Sequence, residues 1–444
     1  MVDKKLLGRE NALDVIDKVI RWSPGDLTEV ILRSEFTALT RFTKNYIHQN
    51  VAESDYRVTV RVIFGKKIGS VTTNSVDDDS LKQAIEDAAA IARLQPPNED
   101  FEGLPEPEPL PDVNCFVPET ASFSAKDRAA AVKEIVEIAK ERGFEASGAF
   151  STGSAELAVG NSRGVRAYNA STYAALSTVM AGEDGTGYAE ASGRDVRELR
   201  PAEVARVARA KCEMAQNPVS VPPGEYEVVL EPLAVADLLD YLGRAGFSAL
   251  AVREGRSFLT GKLGQKLFDE KFNMWDDGLD PRGFPVPFDL EGVPKRKVVL
   301  VENGVAKELV YDYATAKKEG KKSTGHGGFR GWGPMPTNLF MGEGTATLEE
   351  MIRATKRGIL VTRFHYTNMA HPLKVLITGM TRDGTFLIED GHITKAVKNF
   401  RFTESALRVF STLDMIGREA VRVERTVVPA IRVPAFNFTG VTEF

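Results

Sequence analysis

The stretch at residues 358–393 constrains the fold more than any other, because it alternates apolar and polar residues over several short runs. A period of two residues is typical of strands with one buried face and one solvated face. The runs occupy residues 360–364, 375–377 and 385–388. Glycines punctuate them, and Asp383-Gly384 is a hairpin signal that predicts a tight turn at residues 381–384. The stretch therefore predicts an antiparallel β-meander.

The pattern of elements before this stretch occurs twice. A helical pattern at residues 11–22 is followed by β-rich runs, the first of them at 28–33 and 38–48. A second helical pattern at residues 81–94 follows, with acidic capping residues just before it. The same order then returns, with a helix at 126–142, strand-like runs and a helix at 201–215. This order predicts two units of similar size.

Together these patterns predict an α+β protein, with two small helix-strand-helix α/β domains followed by a large β-rich C-terminal domain. The predicted domains are residues 1–95, 119–220 and 221–444. Residues 96–118 hold seven of the 22 prolines and several glutamates. Proline removes backbone donors and favours extended chain, so this segment is predicted to be a semi-rigid linker, with a partner-binding segment as the alternative.

The composition argues against several classes of protein. Net charge is −5 and no basic block occurs, which disfavours nucleic-acid binding. No apolar run is long enough to span a membrane, and the N-terminus lacks the apolar core of a signal peptide. Two cysteines, Cys115 and Cys212, cannot form a disulfide framework. We therefore expect a cytoplasmic protein.

Several segments in order resemble the TldD/PmbA family of cytosolic peptidases. They are TRFTKNYIHQNV and RVTVRVIFGKKIGSVTTNSVDDDSLKQAIEDAAAIAR near the start, VGNSRGVRAYNASTY in the middle, and PPGEYEVVLEPLAVADLL, VREGRSFLTGKLGQK, LVTRFHYTNM and LITGMTRDGTFLIEDGHI in the last half. The resemblance covers most of the chain. It implies two small α/β domains and a large β-rich C-terminal domain.

The sequence departs from the zinc-bearing subunit of that family at its metal site. That subunit carries an HExxxH helix just after the strand corresponding to residues 227–230. Here the helix at 236–244 reads ADLLDYLGR and has no histidine, and no cysteine follows Cys212. The resemblance is therefore to the PmbA/TldE subunit. It implies no catalytic residue, metal site or cofactor in this chain, with zinc expected in a TldD-like partner.

Five residues of the β-rich domain are candidates for substrate binding. His326 lies in the Gly-rich loop 323–328, which predicts either a substrate-contacting loop or a mobile surface loop. Arg363, His365 and Tyr366 are predicted to line a peptide groove, with structural hydrogen bonding as the alternative. Arg382 could hold a peptide carboxylate, although a turn stabilised by its own aspartate is favoured.

Asp240 and Tyr241 lie where the metal ligand and the base would be in the zinc subunit. An aspartate can bind a metal or act as a base, but one carboxylate does not make a site. A position on the helix surface is therefore predicted for both.

Three functions remain open from the sequence. The leading hypothesis is a PmbA/TldE-like subunit that forms a heterodimer with a TldD-like zinc subunit and acts on unfolded peptides, without contact to nucleic acid or membrane. The second is a stand-alone metal-dependent hydrolase that uses His326, His365 and His371. The third is a homodimeric peptide-binding protein without catalysis.

Overall fold

Two β-sheets organise the part of the chain that the computed structural model describes, residues 6–328 and 333–442. The first is antiparallel, with the order β3-β2-β1-β4-β5-β6. Its strands are β1 (Leu27–Thr43), β2 (Tyr46–Phe64), β3 (Lys67–Thr73), β4 (Glu145–Asn161), β5 (Arg166–Ala181) and β6 (Thr186–Gly193). Its helices are α1 (Arg9–Trp22), α2 (Asp78–Leu94), α3 (Pro118–Ser122), α4 (Ala125–Lys140) and α5 (Pro201–Met214).

The order of helix, strands and helix occurs twice, as predicted, and β1 pairs with β4 where the two units meet. The small N-terminal α/β units therefore share one six-stranded sheet. Apolar stripes of α1 and α2 pack on β1 and β2, while α4 and α5 cover a second cluster around Phe42 and Phe150. The predicted cap of α2 is confirmed, because Asp77 accepts a hydrogen bond from the Ser80 amide.

The predicted break between strands at 28–33 and 38–48 is wrong. Leu27–Thr43 is one strand, and the turn lies at Lys44-Asn45, where both residues have positive φ. Ser34 and Glu35 resemble a polar interruption in the sequence, but they continue the alternation of buried and exposed side chains. The sheet tolerates them because Glu35 points out of the core.

The proline-rich segment lies against the first sheet. Asn161 Nδ2 donates to Pro105 O at 2.9 Å, and the Thr172 amide donates to Cys115 O at 3.0 Å. After a turn at residues 99–100, the segment has neither helix nor strand up to the start of α3 at Pro118. It therefore brings Cys115 next to β5.

The second sheet is mixed. Its strands are β7 (Gly224–Leu230), β8 (Met274–Asp276), β9 (Val298–Glu302), β10 (Val305–Ala306), β11 (Leu339–Met341), β12 (Arg357–His371), β13 (Leu376–Glu389), β14 (His392–Ala396), β15 (Phe400–Ser405), β16 (Met415–Val423) and β17 (Thr426–Val441). Because β7 pairs with both β12 and β17, the strands β7, β12, β13, β15 and β17 form a closed ring.

The helices of the C-terminal domain are α6 (Pro232–Gly246), α7 (Ala249–Arg253), α8 (Tyr313–Lys318), α9 (Leu348–Ala354) and α10 (Ala406–Ser411). Helix α6 packs on β12 and β17, with Leu238, Leu239 and Leu242 in the largest core cluster. Phenylalanines supply much of that core. Among the described residues no helix is both long and apolar enough to cross a bilayer.

The predicted turn at residues 381–384 is also wrong. Strand β13 runs through them, and β12 and β13 form one long hairpin that turns at Pro372–Lys374. Val361 pairs with Thr385 and Arg363 pairs with Arg382, so β13 carries one extra residue between those pairs. Asp383 and Gly384 have φ of 55° and 129°. The Asp-Gly dipeptide that predicted a hairpin turn therefore forms a β-bulge instead.

Candidate functional site

A cavity of about 1130 Å³ lies between the first sheet and the C-terminal domain. Strands β1, β4, β5 and β6 form one wall. Helix α6, the middle of β12 and loops of the C-terminal domain form the other. The tip of the β16–β17 hairpin, Val423 to Thr426, also lines it. The cavity is thus built by both halves of the chain.

Helix α6 presents a polar stripe to this cavity. Ala236, Asp237, Asp240 and Arg244 line it, while Leu238, Leu239 and Leu242 of the same helix are buried in the core. These four positions fall on one face at helical spacing. Asp240 therefore lies on the surface of the helix, as predicted, with its side chain 37% exposed, and this surface is part of the cavity wall. Tyr241 instead donates its hydroxyl to Thr367 O at 2.7 Å.

The surroundings of Asp237 raise the pKa of its carboxyl group. Burial raises the pKa of Asp237 to about 7, and the carboxylates of Asp240, Glu424 and Glu190 add to that effect. Burial also raises the pKa of Asp240, although the Arg244 guanidinium opposes it from 2.8 Å. Asp237 is therefore a carboxyl group that can hold or release a proton near neutral pH.

Arg363 connects the two sheets at the cavity wall. Its Nε donates to Asp383 Oδ2 at 2.8 Å, and its guanidinium lies over the Tyr188 ring at 4.0 Å. Asp383 also accepts a hydrogen bond from Thr186 Oγ1 at 2.7 Å. The Tyr188 hydroxyl in turn donates to Glu190, whose pKa is raised by burial. This network fixes β6 against β12 and β13.

A buried polar group lies at another part of the cavity wall. His326 Nε2 lies 2.8 Å from Asp276 Oδ1, and Asp276 Oδ2 accepts the amides of Thr337 and Asn338 at 2.6 and 2.7 Å. Lys295 Nζ donates to Thr337 Oγ1 at 2.8 Å and lies 3.9 Å from Asp276. Asp276, His326 and Lys295 are all at most 5% exposed.

The charges in this group follow from burial and from the neighbours. Burial would raise the pKa of Asp276, but His326 and Lys295 outweigh it and lower that pKa to about 2. Burial lowers the pKa of His326, and the Lys295 ammonium adds to this. A neutral imidazole that donates from Nε2 to a carboxylate accepts at Nδ1, where Thr324 Oγ1 lies at 2.9 Å. Both ring nitrogens are therefore engaged.

The Gly-rich loop around His326 is held in place by a hydrogen bond to Asp289 and by a close approach to Pro294. Asp289 accepts the Gly327 amide at 2.6 Å and the amides of Glu291 and Val293. Gly325 has φ of 73°, and a Cβ there would lie 2.4 Å from Pro294 O. The alternative of a mobile surface loop is therefore wrong for His326, because its side chain is fully buried.

The five predicted binding residues do not lie together. His326 and Arg363 line the cavity. Of the described residues on its wall, none is His365, Tyr366 or Arg382. Tyr366 is 73% exposed, packs edge-on against the His365 ring and lies at an irregularity of β12. Arg382 is exposed beside the bulge.

The three-histidine metal site is contradicted by the structure. His326 is buried with both ring nitrogens engaged, whereas His371 is exposed at the end of β12. Within residues 6–328 and 333–442, no group of three or more His, Cys, Asp or Glu side chains could hold a metal ion. Cys115 lines the cavity, but burial raises the pKa of its thiol. These residues do not fit the catalytic zinc that the resemblance implies for the other subunit.

Sequence reasoning missed several residues of the cavity. Asp237, Glu190, Glu424, Lys295 and Asp276 were not singled out. A signal existed for Asp237, since positions 237, 240 and 244 form a polar stripe on a helix that is otherwise apolar. The others come from distant segments, and a single sequence gives no measure of their separation.

Comparisons with known proteins agree with this architecture. Residues 28–92 match the family described as PmbA/TldA metallopeptidase domain 1, and residues 223–440 match the PmbA/TldA metallopeptidase C-terminal domain. The crystal structure of TldE from Thermococcus kodakarensis is similar with a TM-score of 0.88 and 25% identity. That similarity covers 96% of this chain and 100% of the other.

Two curated relatives match at the level of sequence. A metalloprotease PmbA homolog of Haemophilus influenzae is 26% identical over 354 residues, which cover 77% of this chain and 76% of the relative. An uncharacterised protein of Methanocaldococcus jannaschii is 35% identical over 197 residues, or 43% of this chain. The latter match spans 46% of the relative, less than half of its length.

Proposed function

This chain belongs to the PmbA/TldD metallopeptidase family, and on that premise we propose that it is a PmbA/TldE-like subunit without zinc of its own. It pairs with a TldD-like zinc-bearing partner, and the complex hydrolyses unfolded peptides in the cytosol. In this assembly the partner carries out the hydrolytic step. This chain contributes a large part of the chamber in which the peptide is held.

One observation carries this proposal. The helix that follows β7 lines the cavity, as a catalytic helix would, but its polar stripe consists of Asp237, Asp240 and Arg244. In the zinc subunit, by resemblance, the corresponding helix carries HExxxH. This chain therefore has a cavity with that helix on its wall and no histidine on the helix. A chain with this arrangement suits binding rather than metal-dependent cleavage.

The cavity has features of a binding site for an extended peptide. Its volume of about 1130 Å³ exceeds that of a typical pocket for one small molecule. Its wall combines apolar residues such as Phe284 and Phe288 with charged side chains of both signs. A peptide offers apolar side chains, main-chain polar groups and charged termini. Such a wall can therefore contact a peptide along its length.

The test compares metal content and hydrolysis in three samples: this chain alone, a TldD-like partner alone, and the two together. Each is purified without a metal-affinity tag, and metal is measured by plasma mass spectrometry. We expect no stoichiometric zinc in this chain alone and no cleavage of an unfolded peptide by it. The complex should contain about one zinc per pair and cleave the peptide.

The control is a complex whose partner carries glutamine in place of the HExxxH glutamate. It should assemble but not cleave. If this chain alone binds about one metal per chain and cleaves peptide, the proposal is wrong and the chain is a hydrolase itself. If it forms a stable homodimer, binds peptide and never pairs with the TldD-like protein, it is a binding protein without catalysis.

A further inference from the structure

Three cationic side chains from distant parts of the sequence line the same cavity. Arg33 comes from the middle of β1, Lys295 from the loop before β9, and Arg425 from the tip of the β16–β17 hairpin. The loop of this chain that precedes Lys295 packs on β1 and β4, where Phe288 clusters with Ile31 and Leu157. Lys295 is joined to that loop by its amide, which donates to Pro287 O at 3.0 Å.

Neither arginine of this group has a carboxylate partner within residues 6–328 and 333–442. Among the described residues, Arg33 and Arg425 form no ion pair, although Glu35 attracts Arg33 from a longer distance. Lys295 is 5% exposed and uses one donor on Thr337 Oγ1. An ammonium has three donors, and the nearest carboxylate oxygen, on Asp276, is 3.9 Å away. The group therefore has unused donors.

The other arginines that line the cavity are engaged. Arg244 pairs with Asp240 at 2.8 Å, and Arg363 donates to Asp383 at 2.8 Å. Arg194 donates to the carbonyl oxygen of Asn114. Arg33 and Arg425 thus differ from Arg244 and Arg363 in having no ion pair among the described residues, and Lys295, whose anion Asp276 lies 3.9 Å away, lines the same cavity.

The electrostatics of this subset favour a bound anion. Burial lowers the pKa of Arg33, and the cations of Arg57 and Arg425 add to that effect. Burial also lowers the pKa of Lys295, with Arg425 acting in the same direction. Like charges that approach one another in a partly desolvated cavity raise the free energy of the protein. An anion placed among them lowers it again.

We propose that Arg33, Lys295 and Arg425 form an anion subsite that binds a carboxylate group of a peptide in the cavity. The inference rests on the proposed peptide-handling function. Guanidinium groups hold carboxylates through two parallel hydrogen bonds, and Lys295 supplies further donors from the wall. The carboxylates of Asp276 and Asp289 offset part of the positive charge of Lys295, so a singly charged carboxylate suits the subsite better than a dianionic phosphate.

The carboxylate can come from the C-terminus of the peptide or from an acidic side chain. Three probes separate these sources: N-acetyl-tetraalanine with a free C-terminus, the same peptide with a C-terminal amide, and an amidated version with one aspartate. Binding to the full-length chain is measured by titration calorimetry at low ionic strength. We expect the free acid to bind at least about tenfold more tightly than the plain amide.

The aspartate-containing amide then decides the source. If it binds as tightly as the free acid, the subsite accepts acidic side chains; if it binds as weakly as the plain amide, the subsite selects the C-terminus. Equal binding of the free acid and both amides would overturn the proposal, and so would no binding of any of the three.

Substitutions link the effect to these residues. Arg33→Gln and Arg425→Gln remove exposed side chains that have no ion pair in the described structure, so both variants should fold. Each should lose most of the preference for the free acid, whereas Arg244→Gln, on the same cavity but paired with Asp240, should keep it. A preference that survives in Arg33→Gln and Arg425→Gln would contradict the assignment.

This test is separable from that of the proposed function. If the subsite is wrong but the function is right, the complex with a TldD-like partner still forms and cleaves peptide, while the free acid and the amide bind alike. If the function is wrong, no such complex forms, whichever peptide binds.

Discussion

Arg363 on β12 and Asp383 on β13 form an ion pair across a β-bulge, with the Arg363 Nε 2.8 Å from Asp383 Oδ2. The bulge turns Asp383 towards the other sheet, where Thr186 Oγ1 donates to the same carboxylate. One buried carboxylate thus joins β12, β13 and β6 at the cavity wall. The irregularity in the strand is what places that carboxylate there.

The first prediction concerns this ion pair. Arg363→Met leaves the carboxylate of Asp383, whose side chain is 2% exposed, without its cation. We expect this to lower the free energy of unfolding by about 3–5 kcal/mol. The double variant Arg363→Met/Asp383→Asn removes the unpaired charge and should recover at least about 1 kcal/mol of the loss. Urea unfolding of the wild type, Arg363→Met, Asp383→Asn and the double variant measures this, and additive effects would show that the pair is not coupled.

The second prediction concerns the pH dependence of stability through Asp237. Its pKa in the folded protein is about 7, above the ordinary 3.8, because of burial and of Asp240, Glu424 and Glu190, with Arg363 opposing. A carboxyl group with a raised folded pKa destabilises the protein as it ionises. Its contribution therefore becomes unfavourable as pH rises from about 4 to about 7.

Asp237→Asn removes that penalty. The Tm of the variant relative to the wild type should increase between about pH 5 and about pH 8, as followed by circular dichroism. Glu86→Gln, on the exposed face of α2, is the control and should show no such trend. A Tm difference for Asp237→Asn that is constant with pH would contradict the raised pKa.

The third prediction concerns Asp276. Its carboxylate is fully buried and accepts hydrogen bonds from His326 and from the amides of Thr337 and Asn338. Asp276→Asn places a donor where acceptors are needed and leaves Lys295 without its anion, which should cost about 3–5 kcal/mol of unfolding free energy. Asp280→Asn, which loses a local pair with Arg282, is the control and should cost less than about 1 kcal/mol.

Acid adds a second readout for Asp276. Its folded pKa of about 2 lies below the ordinary 3.8, so its contribution is present above about pH 4 and is lost as pH falls towards 2. Wild type should therefore lose its advantage over Asp276→Asn in that window. An advantage that persists at about pH 2 would argue against the ionised carboxylate.

The fourth prediction concerns the bulge itself. Gly384 has φ of 129°, and a Cβ there would lie 2.5 Å from Thr362 Oγ1. Gly384→Ala should therefore combine backbone strain with a clash and cost about 2–4 kcal/mol. Gly255 also has positive φ, at 70°, but has open space around its Cβ position, so Gly255→Ala isolates the strain at about 1 kcal/mol. If thermal unfolding shows that Gly384→Ala and Gly255→Ala lose the same stability, the clash with Thr362 does not contribute.

Elements defined by local chemistry were predictable from the sequence. The three aspartates at 77–79 and the 3.6-residue period after them specify α2, because a cap and an apolar stripe act within a few residues. The hairpin signal at Asp383-Gly384 was misread for the opposite reason. The dipeptide specifies left-handed backbone conformations, which occur both in turns and in bulges.

The candidate site also combines features that are local in the sequence with features that depend on tertiary contacts. The absence of histidine from α6 and the polar stripe of Asp237, Asp240 and Arg244 can be read from adjacent letters. His326 could be noticed in its Gly-rich loop, but its burial against Asp276 could not, because those residues are 50 positions apart. The predicted groove of His365 and Tyr366 could not be checked from the sequence, because the register of β12 against β13 shifts between His365 and Asn368.

The sequence by itself determined the α+β class, the repeated order of helix, strands and helix, and the α6 helix without histidines. These depend on hydrophobic period, capping and residue identity, which are local properties. Only the tertiary structure decided that both halves enclose one cavity, that Asp383 pairs with Arg363, and that Arg33, Lys295 and Arg425 face the same space. Those arrangements arise from packing between segments that lie from 20 to several hundred residues apart, and burial then sets the charges that a sequence alone does not assign.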